Sequence, residues 1–243
     1  MKTHNIKFID YDGTVIKEIE VPDGKKIKSP KPKRYFYNFN GWRPKFNEIA
    51  RKNMVYTAKY KPKRDYDNNG ISDEEEFLKI VEPILNSEEF LKRKTFKHHG
   101  KTSLYEHSFA VSYYSYMFAK KLHLKRKTVK NVAIAGLLHD FYYQDWTTIK
   151  ENRPLFKKHG FVHAKEAKEN SIKHFPKYMN KRILNAIERH MFPINITPPK
   201  YIEGWIVTLM DKYVSIDSIK DYKILYSFFS RKHRKELISW TIQ

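Results

Sequence analysis

Two adjacent side chains able to bind a metal, His139 and Asp140, close the apolar stretch Val132-Ala133-Ile134-Ala135-Gly136-Leu137-Leu138. Its small and branched residues predict a helix packed on most of its circumference. A polar pair at the end of such a helix is costly to bury without compensation, and a divalent cation held by both side chains would supply it. For the doublet by itself, the alternative is a helix running into a solvated loop. His107 shares a helical face with Val111, Tyr114 and Phe118, a stripe on which a single histidine is ordinarily a hydrogen-bonded core residue. Asp211 follows the apolar run Trp205–Met210 and precedes Val214 and Ile216. A carboxylate in such surroundings must be paired, protonated or metal-bound. Its neighbour Lys212 points elsewhere on a helix. Cysteine is absent, which excludes disulfides, thiolate nucleophiles and cysteine-ligated zinc, and leaves His, Asp, Glu and carbonyl oxygen as ligands.

The elements that must position these residues are helices from Ser72 onward. The spacing predicts them over Thr102–Leu122, Lys130–His139, Val162–Phe175, Lys181–His190 and Tyr201–Ile219, with His163 and His190 near helix ends. Forty per cent hydrophobic residues suffice for a core, so a folded chain is expected. The formal charge of +21 comes mostly from lysines scattered along the whole sequence. That favours anionic ligands, phosphates included, and argues against nucleic acid as a partner. No apolar run approaches a membrane span and Met1–Asp10 lacks the apolar core of a signal peptide. A cytoplasmic protein with no membrane partner is the expectation.

Residues 1–62 read differently. Ile6–Ile9, Thr14–Val21 and Met54–Tyr60 are strand-like runs, and Asp12-Gly13 and Asp23-Gly24 are turn signals that need positive φ. With Phe8, Val21, Pro32, Phe39, Gly41-Trp42 and Tyr56-Thr57-Ala58-Lys59-Tyr60 in order, this part resembles the internalin-type B-repeat. The resemblance implies a small β-grasp-like module serving as a spacer or interaction module. Residues 63–77 read as a linker. Within it, Asp65, Asp67, Asn69, the carbonyl of Ile71 and Glu76 have the spacing of an EF-hand calcium loop around Gly70. The competing reading has no metal: Ser72 caps the next helix and Asp73–Glu76 fill its first turn. The fold class expected is α+β, the β module being followed by an all-helical bundle over 78–243.

His107, the His139-Asp140 doublet and Asp211 in Leu-Met-Asp-Lys-Tyr resemble the signature of the HD superfamily of metal-dependent phosphohydrolases. The segments Thr102–His107 and His190–Pro193 are similar to a bacterial branch of it. The Gly-Tyr-Pro element of the cyclic-di-GMP phosphodiesterase branch does not follow the doublet. The resemblance implies two divalent metals (Mn²⁺, Fe²⁺, Mg²⁺ or Zn²⁺). His107, His139 and Asp211 would hold one, His163 and His190 the other, and Asp140 would bridge them. It also implies attack of a metal-bound hydroxide on a small phosphorylated substrate, a nucleotide for example. Lys212 would assist, and His99 and Lys101, with His98 and Thr102, would steady the phosphate. Two alternatives stay open: a di-iron oxygenase, as some HD proteins are, and a non-catalytic binding protein with a structural metal.

Overall fold

The computed structural model describes residues 2–96, 103–143 and 159–216, with side chains from 162 onward in the last stretch. They form two compact units that divide between Glu75 and Glu76.

The first unit is a mixed four-stranded sheet. Its strands are β1 (Thr3–Ile9), β2 (Val15–Pro22), β3 (Tyr37–Arg43) and β4 (Met54–Pro62), in the order β2-β1-β4-β3. The β1–β2 hairpin turns at Asp12-Gly13, where Gly13 adopts φ +89°. β1 and β4 pair in parallel at the centre, and β3 lies antiparallel to β4. Alternate residues of each strand face one side, and these supply the core of Ile6, Phe8, Val21, Trp42, Tyr56 and Ala58. The register slips between Phe39 and Trp42. Gly41 sits there at φ +85°, a conformation open to glycine at little cost, and the extra residue re-aims Trp42 inward. Phe8 then packs edge-on against Trp42, at a centroid distance of 4.9 Å.

Residues 63–75, read from the sequence as a linker, are fastened to this sheet. Lys63 N donates to Phe36 O. The Tyr37 hydroxyl accepts from Ser72 N and donates to the Glu75 carboxylate at 2.7 Å. Arg34 pairs with Glu75 and Arg64 with Glu74. Ser72 also caps α1 (Asp73–Leu85), its Oγ accepting from Glu75 N.

The second unit is helical. After the rest of α1 come α2 (Glu88–Leu91), a 3-10 turn at Lys92–Lys94, α3 (Leu104–Lys121), α4 (Arg126–Leu138), α5 (His159–His174), α6 (Lys181–Arg189) and α7 (Ile202–Ser215). α3 opens on a reciprocal cap in which Ser103 Oγ accepts from Glu106 N and Glu106 accepts from Ser103 N. α3 and α4 approach very closely at Gly136, where an added Cβ would lie 2.9 Å from the Ser112 Cα. Ser112 Oγ donates to Ala133 O across the same contact. A buried polar chain ties α4, α6 and α7: Asn180 donates to Asn131, Asn131 to Glu203, and Arg182 to Glu203. Among the described residues no helix is long and apolar enough to cross a membrane.

Candidate metal centre

His139 and His190 are placed by the same local device. Each is the C-cap residue of its helix, α4 and α6 respectively. A helix end leaves carbonyls without partners. Here the Nδ1–H of His139 donates to Gly136 O at 2.8 Å, and that of His190 to Ile187 O at 2.7 Å. The bond caps the last turn and, on a neutral ring, leaves Nε2 as the nitrogen without a proton. His107 comes from the buried face of α3, His163 from α5, Asp211 from α7, and Asp140 directly follows His139. The four histidines and Asp140 are buried, and Asp211 is partly exposed.

Their ligand atoms converge. His107 Nε2 lies 3.1 Å from Asp211 Oδ1, and His139 Nε2 lies 3.5 Å from the same oxygen. Asp140 faces both ways: Oδ2 is 3.4 Å from His139 Nε2, while Oδ1 is 3.3 Å from His163 Nε2 and 3.4 Å from His190 Nε2. The last two nitrogens are 3.1 Å apart. His107, His139 and Asp211 thus form one group able to hold a cation, and His139, Asp140 and His190 another.

These side chains fit a metal. His139 Nε2 is buried and has no hydrogen-bond partner. Its lone pair faces two carboxylate oxygens at distances too long for good hydrogen bonds. Without positive charge between them that arrangement is repulsive. With metal–ligand bonds of about 2.1 Å, neighbouring ligand atoms of an octahedral or tetrahedral shell lie roughly 3.0–3.4 Å apart, close to the spacing observed. The carboxylates draw positive charge to this cluster, from the histidines themselves where no cation supplies it. Burial would push the Asp140 carboxyl up, but His139, His190 and His163 outweigh it and hold it well below the usual carboxylate range. Burial would likewise raise Asp211, and the hydrogen bond from His107, with His139, holds it well below that range. Burial pulls His190 down, yet its contact with Asp140 leaves it raised.

The other expected site residues fall elsewhere. Lys212 is partly buried, and its ammonium is pushed below its ordinary value by desolvation, against the pull of Asp211. His98, His99, Lys101 and Thr102 lie outside the described residues. In the candidate calcium loop the Asp65 carboxylate accepts from Asn69 N and Gly70 N, and Asn69 Oδ1 accepts from Ile71 N. Among the described residues Asp65 and Asp67 belong to no group of three carboxylates or histidines close enough to share a cation. The Glu76 carboxylate is engaged by the Tyr116 hydroxyl and by Lys120 at 2.7 Å.

Sequence reasoning missed the surroundings that hold the ligands. Tyr142 packs on His163, Tyr143 N donates to Glu166, and Asn170 donates to Phe141 O. These contacts anchor the three residues after the doublet to α5. The signal was their aromatic run directly behind His139-Asp140.

Five segments of the helical unit thus gather imidazoles and carboxylates into a buried cluster that could hold metal. Residues 104–216 match the model of the HD domain family, which supports placing this unit in the HD superfamily, a group of metal-dependent phosphohydrolases. No curated protein sequence matches the chain.

Proposed function

We propose that the helical unit is a metal-dependent phosphohydrolase, a phosphomonoesterase or phosphodiesterase, acting on a nucleotide or another small phosphorylated molecule. The observation that carries this reading is the bare, buried Nε2 of His139 set against the oxygens of Asp140 and Asp211. A pair of divalent cations, of Mn²⁺, Fe²⁺, Mg²⁺ or Zn²⁺ type, would supply Lewis acidity there, acidifying water and drawing charge from phosphoryl oxygens. His107, His139 and Asp211 would hold one and His163 and His190 the other. Asp140 presents one oxygen to each group. The C-cap bonds to Gly136 and Ile187 hold the proton of each neutral ring on Nδ1 and leave Nε2 as the nitrogen that would bind metal. Lys212, next to Asp211, would add positive charge near the site. The β unit acts as a spacer or interaction module, and catalysis does not depend on it.

The test is elemental analysis of the purified chain, followed by a panel of phosphomonoesters, phosphodiesters and nucleotides. The panel is run anaerobically with a redox-inert metal. Metal-dependent release of phosphate is expected under those conditions. Turnover that requires oxygen and iron would instead make the protein an oxygenase. Bound metal with no turnover of any substrate would leave it a binding protein.

A further inference from the structure

Among the described residues, one face of α7 carries a row of exposed apolar side chains, of which Trp205 and Tyr213 also touch the Phe192 and Tyr114 rings at their edges. Ile202, Trp205, Leu209, Tyr213 and Ile216 are between 43% and 84% exposed, on a helix whose opposite face is buried. At 3.6 residues per turn these five positions fall within an arc of about 80°, so they make one continuous stripe roughly 21 Å long. No charged residue interrupts it. Their exposed parts sum to roughly 500 Å², the size at which an apolar patch on a single chain marks an interaction surface.

The order along the stripe identifies its occupant. Leu209 is the midpoint: Trp205 and Tyr213 lie four residues to either side, and Ile202 and Ile216 seven. The types mirror the spacing, with isoleucine at both ends, an aromatic ring on each flank and leucine at the centre. An antiparallel copy of the same helix, related by a two-fold axis through Leu209, would set Ile202 against Ile216, Trp205 against Tyr213, and Leu209 against Leu209. That is the self-complementarity an isologous interface requires. Complete burial of two such stripes would remove about 1,000 Å², which reaches the lower bound for a specific interface. We propose that the chain forms a two-fold symmetric dimer through antiparallel packing of α7. Since α7 also carries Asp211, dimerisation covers the outer face of a helix whose inner face supplies a metal ligand.

The chain contains no cysteine, so single cysteines report on this geometry without background. Packed helix axes lie about 8–10 Å apart, too far for a disulfide between facing residues but within reach of a short bis-maleimide. Leu209→Cys is expected to link to its own copy. Ile202→Cys alone is expected not to, because in this arrangement its mate lies roughly 21 Å away. A mixture of Ile202→Cys and Ile216→Cys is expected to link. Light scattering on the intact chain should give twice 29.3 kDa. Leu209→Arg should halve that mass with the helical circular dichroism unchanged. Should Leu209→Arg fail to fold, the cysteine variants decide the matter alone. A monomeric mass at every concentration up to about a hundred micromolar would overturn the proposal, leaving the stripe to residues 217–243 or another partner. So would self-linking of Ile202→Cys, which belongs to a parallel pair.

Discussion

Each unit buries a histidine against an aspartate, and the two burials are of different kinds. In the sheet, His4 Nε2 lies 2.8 Å from Asp23 Oδ1, an ordinary hydrogen-bond distance. That bond is the main reason the Asp23 carboxyl sits below its usual range, and the partially exposed carboxylate remains in contact with water and with Arg51. The pair is complete. In the helical unit, His139 is fully buried and meets two carboxylates at 3.4 and 3.5 Å without bonding to either, while two further histidines crowd the far oxygen of Asp140. A pair closed by a proton holds its atoms at bonding distance; a set closed by a cation holds them at the edge length of a coordination shell. The contrast favours His139 over His4 as a metal ligand without reference to any family.

The sharpest way to break that contrast is to remove one histidine of each kind. His139→Ala and Asp140→Ala are each expected to abolish turnover, by about 10³-fold or more, exceeding the loss of a single transition-state hydrogen bond. Both should lower bound metal while leaving the chain folded. His4→Ala should cost about 1 kcal/mol of stability, as loss of one hydrogen bond does, with metal content and turnover unchanged. Urea melts, elemental analysis and steady-state rates on the three variants decide it. Wild-type turnover in either site variant would overturn the assignment.

A smaller effect tests whether the cluster holds one cation or two. Asp140 directs Oδ1 to His163 and His190 and Oδ2 to His139. The double variant His163→Ala with His190→Ala strips one side alone. About two metals per chain are expected in the intact protein, falling toward one in the variant. A single metal in the wild type, or an unchanged count in the variant, reduces the centre to His107, His139, Asp140 and Asp211.

Much of this was legible in the sequence because helical periodicity marks a face. His107 and Asp211 stand out as polar residues on apolar stripes, and His139 at the end of the wholly apolar stretch Val132–Leu138. What periodicity could not give is the partner of a buried polar group distant in sequence. Glu203 reads as an ordinary first-turn acid, yet it is buried and held by Asn131, 72 positions earlier, and by Arg182. Residues 63–75 read as a linker because their composition is polar. The Tyr37 hydroxyl, bonded to both Ser72 and Glu75, ties them to the sheet, and a tyrosine within a run of aromatic residues gives no sign of which end of the chain it will hold.

The smallest expected effect bears on the same comparison from the other side. If the polar pairs of the sheet are structural only, removing residues 1–62 should leave catalysis intact. The deletion ends before α1, whose buried Phe77, Val81, Ile84 and Leu85 all belong to the helical unit. Phe77 keeps its ring contacts with Phe109, Tyr113 and Tyr116. Glu75 and Ser72 lose Tyr37 and Arg34, but water can replace those partners once the sheet is gone, and Ser72 still caps the helix through its own Oγ. The expected outcome is kcat/KM within about twofold of the full chain, a change of at most about 0.4 kcal/mol in transition-state stabilisation, with unchanged metal content. The melting temperature should fall by a few degrees through fraying of the first turn of α1. Steady-state kinetics, elemental analysis and thermal melts of residues 63–243 measure all three. A truncated chain that folds and keeps its metal yet turns over no substrate would show that the sheet takes part in the chemistry, and the division of labour between the two units would fail.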